Sequence, residues 1–471
     1  MKKIPLASEA FADDPRVVRA RAQLGEALRD HGRRLEGPRP PDAARAATYR
    51  ETLERFSQVR GGSLFYPYLG SGFGSGCLVE LADGSVKLDM ICGIGVHYLG
   101  HGDPALADRL VDAALQDTVM QGNLQQTEAS LALSTALRAL ANRNGATLDH
   151  CFLTTSGAMA NENALKLVFH RHRPADRVLG FTGAFAGRTL ALSQITDNPA
   201  YRVGLPPALA VDFVPFFDAR DPAGSTERTL AALRGHLDRH PGRHAAMVLE
   251  LVQGEGGYYP GDPAFFAAVV GLLREHEVAI VFDEIQTFGR THSPFAFQHF
   301  GLDAFADVVT VGKASQVCAT LFSDAYRPGP GLISQTFTGS TSSIAAARLV
   351  VETMTGGGLF GERGRVAQVA QRFADGFAAL SQAHPDRIRG PHGLGAMIAF
   401  TPFDGRKETT RRVLDELFER GVVAFSTGGA VSRVRFLPPV AVIRDDDIDR
   451  VLGILGDALA AVATARGDGG A

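Results

Sequence analysis

The sequence predicts an α/β fold: a large domain with a mostly parallel sheet flanked by helices, plus a smaller α+β domain built from N- and C-terminal segments. Three observations predict it. Helical and strand-like segments alternate from about residue 104 to 335. The strand-like segments there, such as 278–282 and 308–311, are continuous apolar runs, which suit strands covered on both faces. After about residue 342 the alternation gives way to two long helices followed by mixed helix and strand.

Residues 14–36 and 42–59 read as two helices split by Gly37-Pro38-Arg39-Pro40-Pro41. Val17, Leu24, Leu28 and Leu35 form a packing stripe on the first. Its arginines are interspersed with acids and suit a solvated face better than an anion-binding one. Residues 78–90 alternate around Ala82-Asp83-Gly84-Ser85, a hairpin with an Asp-Gly turn. Helices follow near 104–117, 127–142, 158–172, 226–238 and 263–276, with strands near 150–154, 177–182, 211–216, 246–252, 278–283 and 307–312. Beyond 342 come the two long helices, an extended segment near 396–402, a helix near 407–420, a strand near 432–437 and a helix near 446–463. Residues 464–471 are Gly-rich and expected to fray. The chain thus divides into an N-terminal helical segment (1–60), an N-terminal part of the small domain (61–103), a large domain (104–341) and a C-terminal small domain (342–471). No internal repeat is evident.

At 471 residues and 45% hydrophobic content, both domains can bury a core. A net charge of -3 gives no polybasic surface for nucleic acid or membrane. Cys77, Cys92, Cys151 and Cys318 form no CxxC pair, so neither a disulfide framework nor a metal site is expected, and a reducing cytoplasm fits. No apolar run is long enough to span a bilayer. Lys2 and Lys3 precede no apolar stretch, and Glu9, Asp13 and Asp14 oppose a transit peptide.

The chemistry concentrates at two strand ends. Asp283 closes one apolar run and Lys313 another, placing a carboxylate and an amine in the crevice where open α/β sheets bind ligands. A lysine there can form a Schiff base, and an aspartate can hold a pyridinium nitrogen, as a pyridoxal-phosphate enzyme requires. Desolvation beside Gly312 and Ala314 would lower the lysine pKa. Taken alone, Asp283 could cap a turn and Lys313 could be an exposed strand-end lysine. Gln286 lies three residues past Asp283, within reach of a ring's phenolic oxygen. Ser156-Gly157-Ala158 follows a strand and opens a helix, where free N–H groups could take a phosphate; alone it reads better as a βα turn with a Ser N-cap. Phe185 could lie against a cofactor ring and Arg188 could clamp a carboxylate, or be a core aromatic and a surface arginine. The stretch 250–257 sets glycines on both sides of Glu255, where the backbone passes close to something or merely loops.

Together these stretches resemble the class III, or ω-, aminotransferases of fold type I. The likeness covers about residues 60–463 and rests on motifs in the family's order: Ser156-Gly157-Ala158, Phe185-Ala186-Gly187-Arg188-Thr189, Gln253-Gly254-Glu255-Gly256-Gly257, Asp283-Glu284-Ile285-Gln286, Lys313 and Thr336-Phe337. The resemblance implies pyridoxal phosphate as cofactor. It makes Lys313 the internal-aldimine lysine and proton shuttle, Asp283 the partner of the pyridine nitrogen and Gln286 that of the phenolic oxygen. Phe185 would stack on the ring, and Gly157 and Ala158 would bind the phosphate. Thr336 would bind the phosphate of the partner subunit in a homodimer. Glu255 and Arg435 match the family's glutamate–arginine switch, in which the pair closes for a distal amine and opens so that the arginine takes an α-carboxylate. The implied reaction moves an amino group, such as the distal amine of lysine or ornithine, to a 2-oxo acid such as 2-oxoglutarate by a ping-pong route.

The sequence departs from the family pattern at Met159 (usually Glu), Ala186 (usually bulky), Leu251 (commonly Pro), Thr338-Gly339-Ser340 (commonly Gly-Gly-Asn) and His292 (usually Gly). Ala186 and His292 are the ones expected to reshape a substrate pocket. The stretch 312–318 is more similar to the lysine ε-aminotransferase branch than to the acetylornithine branch. An aminomutase or decarboxylase on the same fold is the alternative, because fold does not fix the reaction. Glu255 with Arg435 favours two alternating substrates. A non-enzymatic binding protein conflicts with the intact Asp283, Lys313 and Phe185. His97 and His101 read as parts of a structural turn rather than as acid–base groups.

Overall fold

The computed structural model describes residues 4, 6–64 and 66–466; Lys2, Lys3 and the predicted frayed end beyond 466 lie outside them. Seven strands form the central sheet, in the order His150–Thr154, Cys318–Phe322, Val308–Val311, Ala279–Glu284, His244–Leu249, Arg177–Phe181 and Ala210–Val214. Every pairing is parallel except the two made by Cys318–Phe322. The strands at 244–249, 279–284, 308–311 and 318–322 are buried along their whole length, which is why the predicted ones among them are largely apolar.

The strand Cys318–Phe322 is absent from the sequence reading. It starts seven residues after Val311, too soon for a crossover helix, so it can only return antiparallel. Four helices begin at Asp-Pro pairs: Asp14, Asp103, Asp221 and Asp262 cap Pro15–Gly32, Pro104–Ala114, Pro222–Arg239 and Pro263–Glu275. Aspartate accepts the orphan N–H groups and proline needs none at the first position. That signal starts the helix predicted near 226 at 222 instead.

Beyond the helices Thr341–Thr355 and Arg365–Ala383 lies an antiparallel sheet of Ile388–Leu394, Met397–Pro402, Arg433–Phe436 and Phe425–Thr427. The predicted hairpin forms as Leu78–Leu81 with Val86–Asp89. It continues into Gly70–Ser75 on one side and, in parallel, Val422–Val423 on the other, so the two ends of the chain share a sheet.

At the N-terminus, Pro15–Gly32 and Ala46–Arg60 are helical, with an unpredicted turn of helix at Ala7–Ala12. The expected packing stripe is incomplete: Leu24 is 55% exposed and Leu35 falls beyond the helix end. Arg21 docks this helix instead, bonding Asp108 through Nε and Nη2 and Asp112 through Nη1. Among the described residues no helix is long and apolar enough to cross a membrane.

Candidate active site

The parallel register sets Asp283 beside Thr310 on neighbouring strands. Thr310 Oγ1 donates to Asn161 Oδ1 at 2.8 Å, and Asn161 Nδ2 donates to Asp283 Oδ2 at 2.7 Å. The same Asn161 amide donates to the carbonyl of Ala186, and Ile285 N–H donates to Asp283 Oδ1. Asp283 is 7% exposed and forms no ion pair among the described residues. Burial pushes its pKa up to about 6, against the pull of these donors and of Lys313. A buried carboxylate held only by neutral donors is a place prepared for a cation.

Lys313 opens the turn after Val308–Val311 and has φ +49. Its amine makes no hydrogen bond or ion pair with any described residue. Burial holds its pKa below the usual lysine value; Arg435 adds to this, and Glu255 and Asp283 oppose it. Gly312 precedes it because a Cβ there would meet Ile285 Cγ2 at 3.1 Å and Cys318 Sγ at 3.2 Å.

Ile285 also explains Gly157. A Cβ at Gly157 would lie within 2.9 Å of two Ile285 carbons, so the glycine is needed for packing whatever anion approaches. Ser156 Oγ accepts the N–H of Met159 and caps Gly157–Arg171. The N–H groups of Gly157 and Ala158 are then left at the helix start, where a phosphate could take them.

Glu255 and Arg435 meet. Arg435 Nη1 lies 2.7 Å from Glu255 Oε1 and Nη2 lies 3.1 Å from Oε2, a two-bond pair. Arg435 is 1% exposed and its guanidinium lies 5.6 Å from the Phe425 ring and 5.7 Å from the Tyr258 ring. Burial alone would raise the Glu255 pKa, but the Arg435 charge wins and lowers it. Gln286 reaches this pair rather than standing apart: its Nε2 is 3.5 Å from Glu255 and its Oε1 accepts from Arg435 at 3.4 Å.

Phe185 is half-buried, and its N–H donates to Glu250 Oε2 at 2.9 Å. Glu250 Oε1 accepts from Gly254 N at 3.1 Å, joining the Phe185 loop to the turn that carries Glu255. Burial pushes Glu250 up to about 8, with Asp283 adding to the shift. Arg188 is exposed, with its guanidinium 4.5 Å from the Tyr201 ring and 5.7 Å from the Phe185 ring. Thr336 is exposed on a segment next to Gln335, whose Oε1 accepts from Thr154.

Lys313, Asp283, Gln286, Glu255 and Arg435 thus converge on one place, while Thr336 lies on an exposed segment. The sequence reading missed Asn161, Thr310, Glu250 and Ile285. Asn161 is five residues past Ser156, and a polar residue on the buried face of a predicted helix was the signal available.

Among the departures, Ala186 is buried with its backbone committed to Thr196 and Asn161. His292 packs against His299 and borders a cavity of about 670 Å³ near Arg143, Glu352 and Met354. None of the residues assigned above to cofactor or substrate lines that cavity. His101 Nε2 is 2.9 Å from Asp89 Oδ2, and the His97 ring lies against it; Asp89 also accepts from Ile91 and Cys92 N–H, which is a structural role.

The profile of the class-III aminotransferase family matches residues 72–459. An acetylornithine aminotransferase of Thermosynechococcus vestitus is 31% identical over 404 residues, 83% of this chain and 92% of that protein. An L-lysine-epsilon aminotransferase of Mycobacterium tuberculosis is 29% identical over 417 residues, 83% of this chain and 90% of that one. The solved structure of lysine aminotransferase from M. tuberculosis, in the internal aldimine form, superposes with a TM-score of 0.77 at 26% identity, covering 87% of this chain and 99% of that chain. The chain belongs to the class III aminotransferases and is a pyridoxal-phosphate-dependent aminotransferase of fold type I. The cation-less Asp283, the unclaimed Lys313 amine and the open helix start at Gly157 fit that cofactor.

Proposed function

We propose that the protein transfers the distal amine of a dibasic amino acid, such as lysine or ornithine, to a 2-oxo acid such as 2-oxoglutarate in two alternating half-reactions. The observation that carries this reading is the Glu255–Arg435 pair beside the free Lys313 amine. With the pair closed, the buried arginine is neutralised and a distal amine can enter. With Glu255 swung aside, Arg435 offers a two-bond seat to an α-carboxylate. Arg188 clamps the carboxylate at the far end of the donor.

Pyridoxal phosphate supplies the electron sink that stabilises charge left on a carbon when its proton departs. Asp283 keeps a proton on the ring nitrogen, fixed by Asn161 and Ile285 N–H. Gly157 and Ala158 N–H groups bind the phosphate, Phe185 covers the ring, and Gln286 bonds the phenolic oxygen. Lys313 Nζ, whose pKa is lowered by burial, takes the proton from the amine-bearing carbon and delivers it nearby. In this reading residues 104–341 form the cofactor-binding domain. Residues 61–103 and 342–471 form the smaller one, and 1–60 a helical extension.

The visible absorption of the cofactor-loaded protein tests this. A band that bleaches with L-lysine and returns with 2-oxoglutarate is the expected result. A band indifferent to lysine, ornithine and other ω-amines would sink the substrate assignment.

The active unit is a homodimer in the cytoplasm, with Thr336 serving the partner's phosphate site. Val119, Met120, Leu124 and Phe337 are exposed apolar side chains, and their two segments pair at Met120–Gln121 and Gly339–Ser340. An apolar patch of this kind suits burial against a second copy. Mixed dimers of Lys313→Ala and Thr336→Ala chains check the crossing. One undamaged site per mixed dimer is expected, and impairment of both sites would place Thr336 in its own subunit's site.

A further inference from the structure

The turn after Lys313 contains a residue with no part in the reading above. Gln316 has φ +61 and ψ −41, and Val317 N donates to Ser315 O across it at 2.6 Å. This is a γ-turn of the positive-φ kind, rare and strained for a residue with a Cβ. Its side chain is equally committed: Nε2 donates to the carbonyl of Val96 at 2.6 Å.

Val96 follows a second strained segment. Cys92, Gly93, Ile94 and Gly95 have φ of +51, +64, +60 and +82, four consecutive residues on the left-handed side. For the β-branched Ile94 that conformation persists only where the surroundings impose it. Two side chains hold the end of this segment. Arg290, on the loop leaving the Asp283 strand, donates Nη2 to the carbonyl of Gly95 at 2.8 Å. Gln316, on the loop leaving the Lys313 strand, takes the next carbonyl. Arg290 is 1% exposed and also donates to Pro438 O, so its hold is a fixed part of the core. The Gln316 link joins its own strained turn, which carries the reactive lysine, to Val96, the residue that ends the second strained segment.

We propose that Gln316 is a positioning residue of the transamination: by tying the Lys313 turn to the left-handed segment 92–95, it fixes where the Lys313 amine stands. The proposal rests on Lys313 being the reactive lysine. Strain in two adjoining turns is retained because the amine must be held in one place while it carries a proton, and a displacement of about 1 Å costs about a hundredfold in rate. A glycine at 316 would relieve the strain and make the turn more comfortable, yet it would release the lysine.

Two variants of the full, cofactor-loaded chain test this. Gln316→Gly removes the strain and the tether together. Gln316→Met keeps length and strain and removes only the amide hydrogen bonds, to Val96 O and the weaker one to Ala314 O. The expected result for Gln316→Gly is a melting temperature equal to or above the parent's. Its donor half-reaction should be about ten- to a hundredfold slower at saturating donor, with KM within about twofold. The pH at which the visible band titrates should shift as well. Gln316→Met should slow the same step and melt lower. Rates within about twofold of the parent in both variants would overturn the proposal. So would a Gln316→Gly chain whose activity falls only as its melting temperature falls, which would make the residue merely structural. A parent chain that develops no visible band with pyridoxal phosphate would bring down the Lys313 assignment and the tether with it. A normal parent band with unaffected variants would bring down the tether alone.

Discussion

Asp283 and Glu255 are two buried acids in one site, and they are held in opposite ways. Asp283 receives N–H groups from Asn161 and Ile285 and makes no ion pair among the described residues. Glu255 is locked to the Arg435 guanidinium by two bonds. Neutral donors fix where a carboxylate sits while leaving its charge uncompensated, so the site stays ready for a cation. A cationic partner compensates the charge, but another anion can replace it. The first arrangement suits a permanent anchor, and the second suits a gate.

Both acids act on the same amine, so the largest effect belongs to Lys313. Lys313→Ala should lower steady-state turnover by about 10⁴-fold, and normal turnover would leave neither acid anything to serve. Asp283→Asn should slow both half-reactions together by roughly 10²–10³-fold in single-turnover measurements. It also carries a pH signature. The folded-state pKa of about 6 lies above the ordinary 3.8, so the folded chain keeps a proton that the unfolded chain has released. The stability owed to this group is therefore present at low pH and falls as pH rises through about 4 to 6. In urea melts without cofactor, Asp283→Asn should gain stability relative to the parent across that window. A constant difference would mean that Asp283 is not a buried, uncompensated acid.

Glu255→Gln sharpens the contrast, because it should separate the half-reactions. The distal-amine donor should lose about tenfold in kcat/KM while the α-carboxylate partner loses little. Stability should drop by about 2–4 kcal/mol, because Arg435 is left buried without its counter-charge. The figure is below that of a fully enclosed pair, since 35% of the Glu255 side chain is exposed. Equal loss in both half-reactions would end the gate reading. The smallest effect belongs to Asn161→Ala, which leaves Asp283 with one donor. A loss of about 1–3 kcal/mol in stability is expected, together with a modest rate decrease equal in both half-reactions. A rate effect confined to one half-reaction would show that Asn161 belongs to the gate rather than to the anchor.

Much of the central sheet was legible, because strands buried on both faces leave largely apolar runs. The strand Cys318–Phe322 was not, since its apolar run directly follows the lysine turn. Ile388–Leu394 was hidden by Gly390, Pro391 and Gly393, which suppress the usual strand signal. In the site, Asp283 and Lys313 stood out as charges at apolar strand ends and Glu255 as a charge between glycines, whereas Arg435 was reached only through the family resemblance. Asn161 and Thr310 were not. Their importance comes from which helix and strand the fold lays side by side, and that appears only when Asp283 is found opposite Thr310. The packing demand on Gly157 was hidden for the same reason, because the side chain that excludes a Cβ there, Ile285, is distant in sequence.

The parallel pairing of Val422 with Leu88 sets a timetable for synthesis. The hairpin ending at Asp89 leaves the ribosome early, but the strand that closes its edge does not exist until residue 423 is made. At about 5–20 residues per second that interval is roughly 20–70 s, during which an unpaired edge invites association with other chains. Val86, at the start of that edge, has a partner made much earlier. Arg39, between two prolines that cannot extend a sheet, exchanges both backbone bonds with Val86. In the finished protein Pro38 lies against Gly421, so the early cover and the late strand abut along one edge. The proline-rich linker thus pairs with the start of the edge that the late strand completes.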